Sequence, residues 1–465
     1  MEQIETKSLF KNFPELIAHG QSSVRRDALQ VIDDGIRGAA PDLGTRALVK
    51  LRGDSLHVGE SVFDLKAIDH IYVVGAGKGS FPIAAALEDL LGSRITDGVV
   101  VVKEGERRRL KRVNIMEAGH PIPNEASVTG AAKVFDMARR AGEKDLVFAA
   151  VTGGSSALVT LPREGIRLGD IQKLNDILLK CGASIKDINT VRRHLCLLKG
   201  GGLVACIQPA QAVTLTLDTS PEGMPWPDLC LADPSTFQDA IDVLRLFDIW
   251  DLIPAAVRSY LQEGTKHPEW ETVKSLTGMK ASLHTVGSPV SACEAASATA
   301  RKLGYRSVIL SSNLEGESID VGICLAGIAK EIIQYDRPFP KPCALISAGE
   351  TTVTIRENHG SGGPNQELAL AFASKLGKKT NVCCLSIDTD GTDGPTEIAG
   401  GISDGETMER AEAIGLNVAD HLRRHDSAGA LTRLGDTVIT GHTGTNVMNL
   451  RVVIIDKAME VETKE

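Results

Sequence analysis

None of the nine cysteines is spaced as C-x-x-C, and most lie in apolar runs, as Cys206, Cys324, Cys383 and Cys384 do. A thiol in such a run behaves as a small hydrophobe, so these read as reduced, structural residues. Nowhere do 18 apolar residues run uninterrupted, and the opening M-E-Q-I-E-T-K-S-L-F-K has no signal-peptide core. A cytoplasmic protein without a membrane partner is therefore expected. Basic residues are in deficit, with a net charge of −9. That argues against a nucleic-acid partner and leaves any anionic ligand to be held by local basic residues, which favours a small molecule.

What is present is a 465-residue chain with 42% hydrophobic and 24% charged residues, rich in Ala, Gly, Leu and Val. Length and composition predict α/β architecture in two domains. A helical stretch over 235–261 and a polar segment through 269 place the boundary, giving domains over 1–265 and 266–465. Residues 22–38 read as an amphipathic packing helix, with Val24, Leu29, Val31, Ile32 and Ile36 as its apolar stripe.

The chemistry concentrates in loops that follow apolar, β-favouring runs. The run 70–74 leads into G-A-G-K-G-S (75–80) and a helix over 81–91. A glycine loop between strand and helix presents amides and the positive helix end to an anion, and Lys78 adds a formal charge. Neither familiar fingerprint is intact. A phosphate loop would need Gly where Tyr72 stands and Ser or Thr at Gly79, and a dinucleotide loop would need Gly at Ser80. The same arrangement recurs after 146–151 as T-G-G-S-S-A-L (152–158). Gly153 to Ala157 is also a loose G-x-S-x-G that would make Ser155 a hydrolase nucleophile, although no H-G-G-G loop precedes it.

G-H-P-I-P-N (119–124) is a rigid turn that enters a helix over 125–141, with His120 a turn histidine by default. The densest basic cluster is N-T-V-R-R-H (189–194) followed by K-G-G-G (199–202). An arginine there can clamp a carboxylate or phosphate through paired hydrogen bonds, and at least one of Arg192 and Arg193 is expected on a solvated helix face. A strand over 212–217 precedes the proline-rich 221–227.

Beyond the boundary, strands are predicted at 284–287, 307–310, 343–347, 349–354 and 452–455, and helices over 292–303 and within 404–422. G-S-G-G-P-N-Q-E (360–367) opens a helix running through 376. The run 382–387 ends in T-D-G-T-D-G-P-T (389–396), placing Asp388, Asp390 and Asp393 among glycines where ligands of α/β sheets bind. Clustered carboxylates suit Mg²⁺ or a base for a hydroxyl. Ser386, Asp388, Asp390, Gly391 and Glu397 also match a calcium-loop spacing, which the preceding strand and Pro395 argue against.

Taken in order, G-A-G-K (75–78), G-H-P-I-P-N-E (119–125), N-T-V-R-R-H-L (189–195), K-G-G-G-L (199–203), G-E-T-T-V (349–353), N-Q-E-L-A-L (365–370), T-D-G-T-D-G-P-T (389–396), H-D-S (425–427) and T-G-T-N-V (443–447) resemble the glycerate 2-kinase family, whose carboxyl-terminal part is the MOFRL domain. The likeness spans roughly residues 20–455. It implies two α/β domains with largely parallel, Rossmann-like sheets facing across a cleft, and transfer of the γ-phosphoryl of ATP to the 2-hydroxyl of D-glycerate. By that resemblance Lys78 meets the transferred phosphoryl group or the substrate anion, and Asp390 and Asp393 hold Mg²⁺ or activate the hydroxyl. Arg192 holds the substrate carboxylate. Gly75, Gly77, Gly153, Gly154, Ser155, Ser156, Glu350, Gly362, Gly363, Asn365, Thr445 and Asn446 line the nucleotide. A homodimer is left open.

Some positions depart from the family pattern. Pro364 stands where an arginine is common, Ser311-Ser312 replaces Gly-Asp, Asp388 a small residue, Ala428 an aromatic, and Met448-Asn449 an Asn-Asp pair. The S-D-V-x-G-D and I-A-S-G-P-T signatures are replaced at 218–223 and 231–236, and Thr152 opens the loop where Ser is usual. These changes predict altered substrate binding. Older family labels add a hydroxypyruvate reductase using NAD(P)H, and a divergent binder of acidic metabolites without turnover is the remaining alternative.

Overall fold

The computed structural model describes residues 8–105, 108–218, 227–355, 358–378 and 380–457. The expectations for the amino-terminal segment, for most of the proline-rich 221–227 and for the departures at 219–223 fall wholly or largely outside them. The chain forms two compact units, one of residues 41–286 and one joining 1–40 to 287–465.

The 41–286 unit starts with an antiparallel meander, β1 (Val49–Arg52), β2 (Ser55–Val58) and β3 (Ser61–Asp64). Its main sheet has β4 (Ile71–Ala76), β5 (Ile95–Lys103), β6 (Val113–Ala118), β7 (Leu146–Val151), β8 (Gln211–Leu217) and β9 (Ala281–Gly287), ordered β6-β5-β4-β7-β8-β9. Every pairing from β6 to β8 is parallel. β4 and β7 are buried along their whole length, which is why both read as unbroken apolar runs. Counted from β4, this is the doubly wound order in which the chain reverses direction between β4 and β7, and ligands bind beyond the carboxyl ends of that pair. The crossover helix Glu125–Arg140 starts at a reciprocal cap between Asn124 and Ser127.

Helices Leu168–Lys180, Ile185–His194, Phe237–Leu246 and Ala255–Gly264 form a satellite core in the same unit, around Leu174, Leu178, Val191, Phe237, Leu244 and Leu261. A division at 265/266 was expected, and here the compact units differ. The apolar stripe of 237–264 is spent on that core, and the polar stretch after it returns to the sheet, where the Ala212 N–H donates to the Lys280 carbonyl at 2.8 Å.

In the other unit the sheet is β10 (Arg306–Ser311), β11 (Cys343–Gly349), β12 (Val382–Asp388), β13 (Gly400–Asp404), β14 (Thr437–Val438) and β15 (Asn449–Ile455), ordered β10-β11-β15-β12-β13-β14. Only β10 and β11 pair in parallel, and the remaining four pairings are antiparallel. The mixed sheet follows from its connections. β12 reaches β13 through a helix-free loop, whereas a parallel step needs a crossover, and the last strand inserts between β11 and β12. The strand predicted over 349–354 is instead irregular after Gly349, with one isolated bridge from Glu317 to Thr352.

Helices Ser318–Tyr335 and Pro364–Leu376 pack around Leu325, Leu368 and Phe372 on one face of this sheet. On the other, the predicted packing helix, found at Ser22–Gly38, lies against Pro289–Lys302. Cysteines 196, 230, 293, 343, 383 and 384 are buried and none of the nine is bonded, but Cys324 is exposed on its helix.

The amino-terminal helix is held by charge as well as packing. Arg25, wholly buried, bonds the Asp404 carboxylate through Nε, and through Nη1 the Asp436 carboxylate at 2.9 Å and the Leu16 carbonyl at 3.1 Å. Burial alone would raise the Asp404 carboxyl, but Arg25 and the Gln21 N–H outweigh it and hold it below its usual value. A depressed carboxyl stabilises the fold above its unfolded value of about 3.9 and loses that contribution as pH falls through the lower folded value. Arg25→Ala is expected to cost about 3–5 kcal/mol at pH 7, because the buried Asp404 carboxylate loses its cation and Asp436 is left with Arg410. It should also flatten the loss of stability below about pH 4. Denaturant unfolding between pH 7 and 2 measures both effects, and a parent-like curve would show the network to be inert.

Candidate active site

At the β4/β7 reversal two loops are bonded into one platform. The Lys78 N–H donates to the Gly153 carbonyl at 2.8 Å, the Gly79 N–H to Thr152 Oγ1 at 2.9 Å, and the Thr152 N–H to the Ala76 carbonyl at 3.0 Å. Gly75 lies flat against the β7 backbone at Ala150, and Gly77 against Thr152 in the loop after it. Lys78 is half-buried and stands just before Gly79, the N-cap of the helix Ser80–Leu91. Gly154 has φ +87°, and a Cβ there would come within 3.1 Å of the His120 ring and 3.5 Å of Lys78 Cγ. The histidine of the rigid turn is therefore brought to the lysine, a neighbour that sequence spacing does not reveal. Ser155 is fully buried with an unpartnered Oγ, and the Ser156 Oγ is also buried without a partner. A nucleophile elbow exposes its serine, so the hydrolase reading finds no support in this geometry.

The basic cluster lies in the same unit, and neither arginine is on a solvated face. Arg193 is buried between Asp228, bonded through Nε, and Asp233, reached by Nη1 at 3.2 Å. Arg192 is half-buried and donates through Nε to Asn175 Oδ1 at 2.7 Å. Burial lowers Arg192, with Asp228 opposing it. Lys199 is buried beside them; burial first, then Arg192, lowers its ammonium, partly opposed by Cys196 and Asp228. Arg193 is thus an internal tie, and Arg192 is the arginine with a guanidinium edge to spare.

In the other unit the three aspartates face different ways. Asp393 is buried, and its carboxylate accepts four bonds: from the N–H and Nδ2 of Asn365 at 3.1 and 2.9 Å, and from the N–H and Nε2 of Gln366 at 2.9 and 3.0 Å. It caps the helix Pro364–Leu376, whose first-turn N–H groups would otherwise lack acceptors. Burial nevertheless leaves the Asp393 carboxyl above its usual range. Asp390 bonds Thr392 through the N–H at 2.9 Å and Oγ1 at 2.7 Å, and Asn446 Nδ2 stands 3.4 Å from its other oxygen. Asp388 accepts from the Asp390 N–H at 2.9 Å; burial first, then the Asp390 charge, pushes its carboxyl well above the usual range.

Several residues expected at the nucleotide are taken up internally. Asn365 is buried among Asp393, Asn449 and Ser386. Thr445 is buried and donates to the Ala39 carbonyl at 3.0 Å. Gly363 lies so close to Asp393 that a Cβ would meet its carboxyl carbon at 2.3 Å, and Gly362 abuts Ser427. Their smallness serves packing. Pro364 occupies the first helical turn, where a missing N–H costs nothing. Glu350 is exposed just after β11.

Sequence reasoning missed Arg451 and noted Asn449 only as a departure from the family pattern, although both were visible as two polar residues at i and i+2 in an apolar strand. Arg451 is fully enclosed, and burial lowers it to about 10 despite Glu350. Among the described residues no three acid, His or Cys side chains gather into a metal cage. Asp393 has no oxygen to spare, whereas Asp390 with Asp388 offers the one or two carboxylates by which Mg²⁺ is held when phosphates complete its shell.

A family model for a domain of unknown function, DUF4147, matches residues 27–262, and the MOFRL family model matches 343–449. The chain is 39% identical to the glycerate 2-kinase of Pyrococcus horikoshii over 93% of its own length and 97% of that protein. It is 37% identical to the D-glycerate 2-kinase of Thermotoga maritima over 93% and 99%. The crystal structure of glycerate kinase from Thermotoga maritima superposes with a TM-score of 0.80, at 34% identity, covering 93% of this chain and 99% of that one. Fold, glycine-loop lysine and these likenesses together define a phosphotransferase of the kinase type. No helix among the described residues is long and apolar enough to cross a membrane. The chain belongs to the MOFRL-domain glycerate 2-kinase family.

Proposed function

We propose that this protein transfers the γ-phosphoryl of ATP to the 2-hydroxyl of D-glycerate or a closely related hydroxy acid, giving 2-phosphoglycerate, in the cytoplasm. The observation that carries the reading is Lys78 on a glycine loop at the β4/β7 reversal, bonded to the Gly153–Gly154 loop. Phosphoryl transfer needs positioning and charge neutralisation more than covalent chemistry. Lys78 supplies a fixed positive charge to the phosphoryl oxygens, and Arg192, with Lys199 behind it, holds the carboxylate. Asp390 accepts the proton of the attacking hydroxyl or, with Asp388, holds Mg²⁺, which when bound neutralises phosphate charge. Asp393 keeps that loop and the helix Pro364–Leu376 in register.

The test is ATP consumption by the purified protein against a panel of sugar acids with and without Mg²⁺, the phosphorylated position read by NMR. Turnover of D-glycerate to the 2-phosphate is expected. NADH oxidation with hydroxypyruvate and no ATP consumption would replace the kinase reading with a reductase. Because Pro364 stands where the resembled family pattern commonly has an arginine, Pro364→Arg is expected to lower KM for D-glycerate about ten-fold, the value of a charge-assisted hydrogen bond at its weaker end. An unchanged KM would show that Arg192 or another cation already does this; Arg356, one such candidate, lies outside the described residues.

A further inference from the structure

The motifs N-Q-E and H-D-S find no role in the chemistry above, yet the fold joins them. His425 has φ +50°, a left-handed conformation unusual for a side-chain-bearing residue. Its Nδ1 pairs with Glu367 Oε1 at 2.9 Å. Glu367 is buried; burial raises its carboxyl, and His425 pulls it back. With Nδ1 engaged, Nε2 is the ring nitrogen left for another partner. His425 lines a cavity of about 400 Å³ together with Glu317, Ile319, Thr354, Leu422 and Arg423. Glu317 is itself fixed, accepting from the Thr354 N–H at 3.1 Å and hydroxyl at 2.6 Å.

We propose that this cavity binds the base of the nucleotide, with Ile319 and Leu422 against the ring faces and His425 and Glu317 reading its edge. This rests on the ATP-dependent reading. The volume is that of small-molecule pockets, larger than a three-carbon acid needs, and its walls combine the aliphatic Ile319 and Leu422 with the polar side chains of Glu317, Thr354, Arg423 and His425. Glu317 and His425 suit adenine, whose exocyclic amine donates to Glu317 and whose ring nitrogen accepts from an Nε2–H. The pocket also connects to the acidic loop. The turn that carries His425 holds the 360–363 segment, through Gly360 N–H to Arg424 carbonyl at 2.7 Å, Ser361 N–H to Asp426 Oδ1 at 3.2 Å and Ala428 N–H to Ser361 carbonyl at 2.9 Å. That segment ends against Asp393.

The experiment is calorimetric titration of the full chain with AMP-PNP, a non-hydrolysable ATP analogue. Leu422→Trp, which fills the cavity, is expected to raise its Kd at least ten-fold while leaving the Kd for D-glycerate and the melting temperature at parental values. If Leu422→Trp melts early, Ile319→Trp fills the pocket from the opposite wall with the same expectation. His425→Gln should erase a preference for ATP over ITP, whose base carries an oxygen in place of the amine. Parental AMP-PNP affinity in a folded cavity-filling variant overturns the subsite alone. A parent protein that binds no AMP-PNP overturns the ATP-dependent reading with it.

Discussion

Lys78→Ala is expected to lower kcat about 10²–10³-fold, the loss seen when one preorganised electrostatic stabiliser is removed from a reacting centre, while the melting temperature stays close to that of the parent. The two halves of this expectation have separate physical sources. What secures the loop is backbone: the Lys78 N–H on the Gly153 carbonyl and the Thr152 N–H on the Ala76 carbonyl, and alanine retains both. What alanine removes is the charge placed where the β4 and β7 loops meet. Restoring the charge with arginine should recover little, because a planar fork does not replace a compact ammonium at a glycine loop. Turnover and calorimetry on the same preparations decide it. An alanine variant that turns over within three-fold of the parent would remove Lys78 from the chemistry and with it the observation on which the proposed function rests.

Two aspartates three residues apart are expected to fail in opposite ways. Asp393→Asn swaps one acceptor oxygen for an NH₂ facing N–H donors from Asn365 or Gln366, inside a site that is 1% exposed. Each buried donor left without an acceptor costs about 1–3 kcal/mol, so a loss of about 4 kcal/mol is expected, or roughly 10 °C in the melting of this unit. Activity falls because the helix start and acidic loop separate. Asp390→Asn keeps Thr392 within reach of an amide oxygen and should melt like the parent, yet lose phosphoryl transfer by about 10²-fold or more, as general-base removal does. Scanning calorimetry and turnover on the pair measure the contrast. A stable, inactive Asp393→Asn would reverse the two roles.

Much of the fold was legible because its signals are local. A strand covered on both faces must be apolar at every position, so β4, β7, β12 and the core of β15 stand out as runs, and the glycine loops after β4 and β7 mark the reversal where an α/β sheet binds ligands. The helix at 22–38 was visible as a stripe, but that stripe does not say which unit it serves. Buried charge decided it, through Arg25 reaching Asp404 and Asp436, 379 and 411 residues away.

By itself the sequence determined the α/β class, the glycine loops after β4 and β7, the acidic loop and the family, since each is written in short-range pattern or in the order of motifs. Tertiary structure alone decided which groups those loops meet. A carboxylate among glycines has the same local signature whether it faces a ligand or caps a helix. Only the approach of Asn365 and Gln366, 28 and 27 residues from Asp393, saturated its oxygens and made it the cap of the helix Pro364–Leu376. The same holds for the antiparallel β15, inserted between β11 and β12, because strand partners are chosen by long-range hydrogen bonding and not by the alternation within any one strand.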